Sequence, residues 1–400
     1  MKILFACHRV PFPPRRGGKI RPFNIIRHLT AQGHRVTVAS LARNTAEAEA
    51  AAGLREHCAQ VLLEIIPDGV AWTRMVSWLP SLRPSSFAYF YSPKLKRRVA
   101  SELAGGGYDL AFAHCSSAAA YVEDAGGVTR ILDYGDIDSQ KWREYSRYRA
   151  LPLSAGYWLE AVKLERAERK LSDKFDLCTC TTRGELEALR ALGVTMSSDW
   201  FPNGVDTDFF APTDIEYDPK LVCFVGRMDY FPNQQAVTRF CETVWPEIRH
   251  TQTDAQFFVV GADPPESIRR LARHAGVTVT GSVDDVRPYV RRAALTVAPL
   301  QIARGTQNKI LESMALGVPV VCSPPASAGV DAVAGEHLVV ADEPAAWVEA
   351  VTQLLTNPGR RRELATAARA RVLSHHSWAA SMRRLDALIA VSRDGRRRSA

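Results

Sequence analysis

The sequence predicts an α/β protein made of two doubly wound domains, each built on a parallel sheet. Short apolar strands alternate with amphipathic helices along nearly the whole chain, which is the pattern of βαβ units and parallel sheets. The alternation is interrupted once, by the proline-containing and weakly periodic segment 199–219, and then begins again. The 400 residues suffice for two cores of ordinary size.

The first domain is predicted over residues 1–198. It opens with a buried strand at 2–6, a loop rich in proline and glycine, a helix from about Lys19 to Ala31 and a strand at 34–40. Further strands are predicted at 60–65, 109–113, 129–133 and 176–181, and further helices at 46–58, 70–79, 92–104, 116–123, 154–174 and 184–192. The opening has the order of a dinucleotide-binding unit but lacks the GxGxxG fingerprint, which disfavours a nicotinamide-dependent dehydrogenase.

The second domain is predicted over residues 220–376, after a linker at 199–219. Its strands are expected at 221–226, 256–260, 277–280, 295–298, 318–321 and 337–340. Its helices are expected at 234–248, 265–274, 284–292, 344–355 and 358–373, with one more that follows the loop containing Gly305 and closes at Gly317. A last helix at 377–392 is expected to pack back on the first domain. Two such domains leave a cleft between them, where ligands usually bind.

The stretch from Ala298 to Cys322 carries the strongest ligand signal. It reads as a strand, a polar loop with Gly305, a helix that closes at Gly317, and another strand. Such a unit places a helix N-terminus at the carboxyl edge of a parallel sheet, where backbone N–H groups and the helix dipole favour an anion. Lys309 and Glu312 fall on one face of this helix. A cation there suits a diphosphate and a carboxylate can accept from ribose hydroxyls, although a plain surface ion pair has the same spacing.

Two features of the first domain also lie at the carboxyl edge of a predicted parallel sheet, where ligands bind. Gly17 and Gly18 end the opening loop, where they allow either a close ligand approach or only a tight turn. His114 directly follows a predicted strand, so it is either a catalytic residue or a hydrogen-bonded structural one.

Three carboxylates follow the strand that ends near Leu132. Asp133, Asp136 and Asp138 stand at nearly alternate positions. They could bind Mg²⁺, cap the next helix or neutralise local arginines. No second carboxylate cluster supports a metal, so we interpret them as loop and cap residues, with Asp136 or Asp138 a possible acceptor for a sugar hydroxyl.

Composition indicates an ordinary globular protein with an excess of positive charge. The net charge of +8 comes partly from Arg15 and Arg16, from 94–98 and from 393–398. This charge is dispersed and no basic helix is interleaved with aromatics, so nucleic acid is the weakest partner and a phosphorylated small molecule or an anionic inner membrane face is favoured.

The same sequence predicts a cytoplasmic location. No apolar run approaches the roughly 20 residues of a membrane span, and the start KILFAC has neither a basic leader nor a cleavage site. The eight cysteines are scattered without a CxxC pair and are expected to be reduced and buried.

Four fragments in order resemble retaining sugar transferases of glycosyltransferase family 4. They are PFPPRRGGKIRPFNIIRHLTAQGHRVTV, FPNGVDTDFFAP, FVGRMDYFPN and GTQNKILESMALGVPVV. Two more, YDLAFAHCSSAAAYV and ILDYGDIDSQKW, resemble the bacterial subgroup associated with exopolysaccharide and exosortase gene clusters. The resemblance implies the GT-B fold, in which two Rossmann-like doubly wound parallel-sheet domains face each other across a cleft.

The resemblance also implies roles for particular residues. In this family the C-terminal domain holds the nucleotide diphosphate-sugar, which implies Arg227 and Lys309 as diphosphate cations, Glu312 as the ribose acceptor and His114 near the transferred sugar. The implied donor-binding set is completed by Gly226, Gly305, Thr306 and Arg304. Gly17 and Gly18 would approach the donor phosphates or the acceptor. No cofactor and no metal are implied.

Two departures from the family pattern affect the donor site. Arg304 stands where the family typically carries a Glu, eight residues before the Glu here at 312, so the donor-sugar contact of that Glu is in question. The family often has a Lys a few residues after its Gly-Arg strand end, whereas 229–233 supplies none. Lys309 is the candidate to replace it.

The leading hypothesis is a metal-independent hexosyltransferase that acts on a saccharide acceptor, with the acceptor carried on a lipid. A nucleotide-sugar epimerase of the same shape is the alternative within enzymes. A non-catalytic sugar-nucleotide-binding protein is the alternative outside them, because of Arg304.

Overall fold

The computed structural model describes residues 1–14 and 17–399, with side chains through residue 396. The basic pair at 15 and 16 lies outside the described residues, as does part of the basic run 393–398. The chain forms two compact units. The first unit comprises Met1–Pro202 and Met382–Ala400, and the second comprises Asn203–Ser381.

The first unit is built on a seven-stranded parallel sheet in the order β3-β2-β1-β4-β5-β6-β7. The strands are β1 (Lys2–Cys7), β2 (Arg35–Ala42), β3 (Gln60–Ile65), β4 (Leu110–His114), β5 (Thr129–Gly135), β6 (Leu177–Cys180) and β7 (Ser198–Trp200). The helices before the second unit are α1 (Gly17–Ala31), α2 (Thr45–Ala50), α3 (Asp68–Ser77), α4 (Ser85–Tyr89), α5 (Pro93–Ala104), α6 (Asp138–Arg147), α7 (Leu153–Ser172) and α8 (Arg183–Ala191). Short 3₁₀ segments occupy Ala51–His57 and Ser116–Tyr121.

The central strands of this sheet are apolar runs because they are covered on both faces. Five consecutive residues of β1, Ile3 to Cys7, are completely buried, and Phe5 stacks on Phe112 of β4 with ring centroids 4.9 Å apart. The parallel register then aligns Cys7 with His114, His114 with Asp133, and Asp133 with Thr179. The sheet therefore carries a row of polar groups across its carboxyl edge.

The second unit is built on a six-stranded parallel sheet in the order β10-β9-β8-β11-β12-β13. The strands are β8 (Asp218–Val225), β9 (Gln256–Val260), β10 (Val277–Gly281), β11 (Ala293–Ala298), β12 (Val320–Cys322) and β13 (Val339–Val340). The helices are α9 (Phe231–Arg239), α10 (Trp245–Thr251), α11 (Glu266–Arg269), α12 (Arg287–Arg291), α13 (Asn308–Ala315), α14 (Pro324–Ser327), α15 (Pro344–Thr356) and α16 (Pro358–Arg371). Trp245, Phe240 and Phe257 pack together at the centre of its core.

The last helix, α17 (Trp378–Ser399), contributes its residues from Met382 onward to the first unit. There the Asp386 carboxylate lies 2.9 Å from His28 Nε2, and Arg384 Nη2 lies 3.0 Å from Asp199 Oδ1. Among the described residues, no helix combines the length and the apolar composition that a bilayer crossing requires.

The fold confirms the predicted α/β class, with two parallel sheets. Four short elements had no prediction: α4, α6, α14 and β7. The helix α6 was missed because its sequence, DSQKWREYSR, buries only Ser139 and so shows no apolar stripe. The predicted helix at 116–123 is instead a 3₁₀ segment that ends at Tyr121.

Candidate functional site

In the second unit, the carboxyl end of β8 and the start of α13 lie next to Asn233, the third residue of α9. Asn233 Nδ2 donates to the carbonyl of Arg227 at 2.8 Å, and Lys309 Nζ donates to Asn233 Oδ1 at 2.6 Å. A Cβ at Gly226 would stand 2.8 Å from Asn233 Nδ2 and 3.0 Å from Lys309 Nζ. Only glycine therefore fits at 226 while the lysine amine reaches this strand end.

The loop before α13 is held by a second close approach of backbone. Gly305 has φ 64°, in the region that favours glycine, and a Cβ at Gly329 would lie 2.0 Å from the Gly305 carbonyl oxygen. The helix begins at Asn308 without a side-chain cap. Thr306 Oγ1 and Asn308 Oδ1 are buried there and have no hydrogen-bond partner among the residues that the structure describes. This helix start thus holds polar groups that the protein itself leaves unsatisfied.

Lys309 and Glu312 lie three residues apart on α13, and each is partly buried. Burial lowers the pKa of Lys309 to about 7, although the Glu312 charge opposes the change. Burial raises the pKa of Glu312 to about 7, and here the Lys309 charge opposes. Among the described residues no ion pair joins the two, and the Lys309 amine lies 4.4 Å from the centre of the Phe224 ring. A bound anion next to Lys309 would restore its charged form.

Arg227 projects from the loop after β8 and is held by two carboxylates. Its guanidinium lies 2.7 Å from Asp229 Oδ2 and 2.7 Å from Asp263 Oδ2. The hydrogen bond to Asp229 is the main reason why the pKa of Arg227 is raised. A diphosphate would share this cation with the carboxylates or displace them. Arg304, in the loop before α13, is half-buried, and its carbonyl accepts from Gln307 Nε2 at 3.1 Å.

In the first unit, His114 belongs to a buried hydrogen-bonded network at the carboxyl edge of the sheet. Asp133 Oδ2 lies 2.8 Å from His114 Nδ1, and Arg21 donates two hydrogen bonds of 2.9 Å to the same carboxylate. Thr179 Oγ1 donates to Asp133 Oδ1 at 2.9 Å. Burial would raise the pKa of Asp133, but the Arg21 charge and the His114 hydrogen bond hold it well below its usual range. The Asp133 carboxylate therefore accepts a hydrogen bond from Nδ1–H of His114, and the Nε2 atom of His114 is left for other partners.

The interpretation of the three carboxylates as loop and cap residues is confirmed for Asp136, which lies between β5 and α6, and is wrong for Asp133 and Asp138. Asp133 lies inside β5 and neutralises Arg21, one of the alternatives that the sequence left open. Asp138 is the first residue of α6 and accepts from Ser116 Oγ at 3.2 Å, while the cap position belongs to Ile137. Asp136 accepts from Thr181 Oγ1 at 2.8 Å. In the described part of the chain no group of three or more His, Cys, Asp or Glu is arranged to hold a metal.

The backbone around His114 is also unusual. Cys115, the next residue, has φ 71°, which non-glycine residues rarely adopt. Gly135 has φ 71° as well, and a Cβ there would lie 3.8 Å from His114 Cε1. Strained backbone of this kind clusters at functional sites. Gly17 and Gly18 open α1, and a Cβ at either would meet nothing within 4 Å, so packing does not require glycine at these two positions.

Sequence reasoning missed three residues of these edges: Arg21, His8 and Asn233. His8 directly follows β1, as His114 follows β4, and its ring centroid lies 6.2 Å from that of His114. Burial, and then the nearby His114, lower the pKa of His8 well below its usual value. The rule that singled out His114 would have found His8. Arg21 and Asn233 gave no local signal, because their partners are 112 and 76 residues away in the sequence.

Comparisons with known proteins agree with this architecture. Residues 16–209 match the family model for Glycosyltransferase Family 4, and residues 219–357 match that for Glycosyl transferases group 1. A search of curated proteins found no match.

Several solved structures share the fold at low identity. The sucrose-phosphate synthase of Thermosynechococcus elongatus superposes with a TM-score of 0.73 at 17% identity, covering 98% of each chain. HepE of Anabaena, solved in complex with UDP, gives 0.69 at 14% identity, covering 98% of this chain and 100% of its own. A glycosyltransferase of Rickettsia africae gives 0.64 at 12% identity, covering 98% of each chain.

The two family matches follow one another along the chain and each falls on one parallel-sheet unit. This chain is therefore a glycosyltransferase with the GT-B fold, in which a family 4 domain precedes a group 1 domain.

Proposed function

We propose that this glycosyltransferase transfers a hexose from a nucleotide diphosphate-sugar to a saccharide acceptor, with retention at the anomeric carbon. The acceptor is lipid-linked, and the product is an exopolysaccharide or another cell-surface polysaccharide. One observation carries the donor part of the proposal: Lys309 and Glu312 are partly buried on one face of α13, next to an uncapped helix start, and no ion pair joins them among the described residues. HepE, solved with UDP and with UDP-glucose, gives independent support for a nucleotide donor.

The donor chemistry follows from charge development. When the bond between sugar and diphosphate breaks, negative charge grows on the leaving group, and cations that are already in place stabilise it where it forms. In this proposal Lys309, Arg227 and the first turn of α13 bind the diphosphate, with Gly226, Gly305 and Thr306 lining its approach. The Glu312 carboxylate accepts from the ribose hydroxyls. The reaction then needs neither a cofactor nor a metal.

The proposed retention is best accommodated by attack on the same face of the sugar. A double displacement needs a carboxylate nucleophile, and Asp133, the buried carboxylate beside His114, is already occupied by Arg21, His114 and Thr179. His114 instead contacts the transferred sugar through Nε2, with Gly17 and Gly18 near the donor phosphates or the acceptor. Arg304 replaces the donor-sugar contact of the family's Glu. We place the enzyme in the cytoplasm, peripherally on the inner membrane face.

The donor is identified by thermal shift with UDP, GDP, ADP and TDP. A ligand that binds only the folded state raises the melting temperature through mass action, so the donor base gives the largest shift. Lys309→Ala should abolish that shift, whereas Lys220→Ala, which removes an exposed lysine paired with Asp254 in the same unit, should keep it. A flat response to all four nucleotides, or an equal shift in Lys309→Ala, would overturn the proposal. Donor hydrolysis by the wild type that is absent in Glu312→Ala would argue against a non-catalytic binding protein.

A further inference from the structure

A groove of about 800 Å³ opens on the first unit between the segment 78–91 and α7. One wall is apolar and largely aromatic. It is formed by Trp78, Leu82, Pro84, Phe87 and Tyr91. The wall therefore offers hydrocarbon and ring surface to a ligand.

The opposite wall is a basic stripe on α7. Lys163, Arg166 and Lys170 line the groove at spacings of three and four residues, which puts them on one helix face, and Lys174 continues the stripe. Lys163 Nζ donates to the Leu79 carbonyl at 2.7 Å and so ties this wall to the apolar one. Arg166 and Lys170 are exposed and have no hydrogen bond or ion pair among the described residues.

The acidic residues of the groove do not balance this charge. Glu123 pairs with Lys174 at 2.9 Å, and Asp124 pairs with Lys96 at 3.1 Å. Those pairs leave Arg166, Lys170 and the exposed Arg83 as uncompensated cations. The groove therefore has an apolar wall and a net positive one, which complements an anionic amphiphile.

The rim beside the apolar wall exposes large hydrophobic side chains. On α3 and the segment after it, Trp72, Val76 and Leu79 are each more than half exposed, and Leu82 is 80% exposed. Leu159, one turn before Lys163 on the basic face of α7, is 47% exposed. A patch of this kind marks an interaction site, because water is an unfavourable neighbour for it.

We propose that this groove and its rim are the surface by which the first unit docks on an anionic lipid membrane. Arg166 and Lys170 contact phosphate headgroups, and Val76, Leu79 and Leu82 enter the boundary between headgroups and acyl chains. The proposal deepens the lipid-linked acceptor proposed above and rests on it. Ser116 and Ser117, which follow His114 and Cys115 directly, also line the groove.

Sedimentation with vesicles tests the docking surface on the full chain. The protein should sediment with mixed phosphatidylcholine–phosphatidylglycerol vesicles at low salt and much less with phosphatidylcholine alone. Arg166→Gln/Lys170→Gln should lower the affinity for the anionic vesicles roughly 25-fold, since each cation at an anionic leaflet contributes a factor of about five. Val76→Ser/Leu82→Ser should weaken binding at every salt concentration, because it removes the hydrocarbon contact.

The matched control is Arg55→Gln/Arg97→Gln, which removes the same charge from exposed positions outside the groove and should bind as the wild type. The docking proposal is wrong if no vesicles are bound, if the control weakens binding as much as the groove variant, or if the groove cations instead bind a single-stranded oligonucleotide. It is also wrong if free glycerol phosphate displaces the protein while the serine variant binds normally. The thermal shift with nucleoside diphosphates, measured on the same variants, reports separately on the donor site.

Discussion

The carboxyl edges of the two sheets differ in how completely their polar groups are paired. In the first unit Asp133 is bound by Arg21, His114 and Thr179, so the charges compensate each other inside the protein. In the second unit partial burial shifts the pKa values of Lys309 and Glu312, and no ion pair joins the two among the described residues. The paired groups of the first edge therefore hold the His114 imidazole in one orientation. The second edge is electrostatically incomplete until an anion binds.

The largest effect is expected on stability, from a substitution in the paired network around Asp133. Asp133→Asn keeps the shape but removes the carboxylate that pairs with the buried Arg21 guanidinium, and loss of one partner of a buried pair costs about 3–5 kcal/mol. We expect a large fall in the urea midpoint. Asp124→Asn, which removes the mostly exposed partner of Lys96, should change stability by less than about 1 kcal/mol. Equal midpoints for the two variants would show that the Asp133 network does not stabilise the unit.

At the edge of the second sheet, a substitution of Lys309 should change ligand binding instead. Lys309→Ala should weaken nucleoside-diphosphate affinity about 100-fold, because it removes a charge-assisted contact of roughly 2–3 kcal/mol. Turnover should fall with it, as measured by steady-state transfer assays. Unchanged kinetics would refute the role of Lys309, and Lys220→Ala is the control.

His114 should separate chemistry from donor binding. His114→Gln keeps a polar side chain beside Asp133 but loses the oriented imidazole, and we expect turnover to fall roughly tenfold to 100-fold. Nucleoside-diphosphate affinity, read by thermal shift, should stay within about twofold, since His114 is proposed to contact the sugar and not the diphosphate. A parallel loss of donor affinity would contradict this division of roles.

A smaller effect concerns the pH dependence of stability. The folded-state pKa of Lys309 is depressed from 10.5 to about 7, so its contribution to stability is present above about pH 10 and is lost as the pH falls toward 7. The stability of Lys309→Met relative to the wild type should therefore rise as the pH falls from about 10 to 7 and level off below. Urea midpoints across this range measure the difference. A pH-independent difference would mean that Lys309 is not desolvated.

The sequence predicted the sheets well because buried parallel strands are continuous apolar runs, as in LVCFV after Lys220. It also predicted that Lys309 and Glu312 share a helix face, since that depends on local spacing alone. It could not predict that Asn233 binds the Lys309 amine. That contact arises only when β8, α9 and α13 are assembled.

The role of Asp133 also could not be predicted from local sequence, because it depends on a distant partner. It follows a predicted strand end, so local reasoning favoured a loop or cap role. Its partner Arg21 lies on α1 and turns inward on a helix whose Ile25, Ile26 and Leu29 are also buried. An arginine on an apolar helix face is the one signal that pointed to a buried acid, although it could not say which.

The most direct test of the incomplete second edge is the proton uptake that accompanies diphosphate binding. At pH 8 Lys309 is mostly neutral and Glu312 mostly ionised, because both pKa values are about 7. Calorimetric titration with the selected nucleoside diphosphate, in buffers of different ionisation enthalpy, should show uptake of about one proton per diphosphate bound. The uptake should vanish in Lys309→Met. Binding without uptake, or uptake that persists in that variant, would contradict the assignment of Lys309 to the diphosphate.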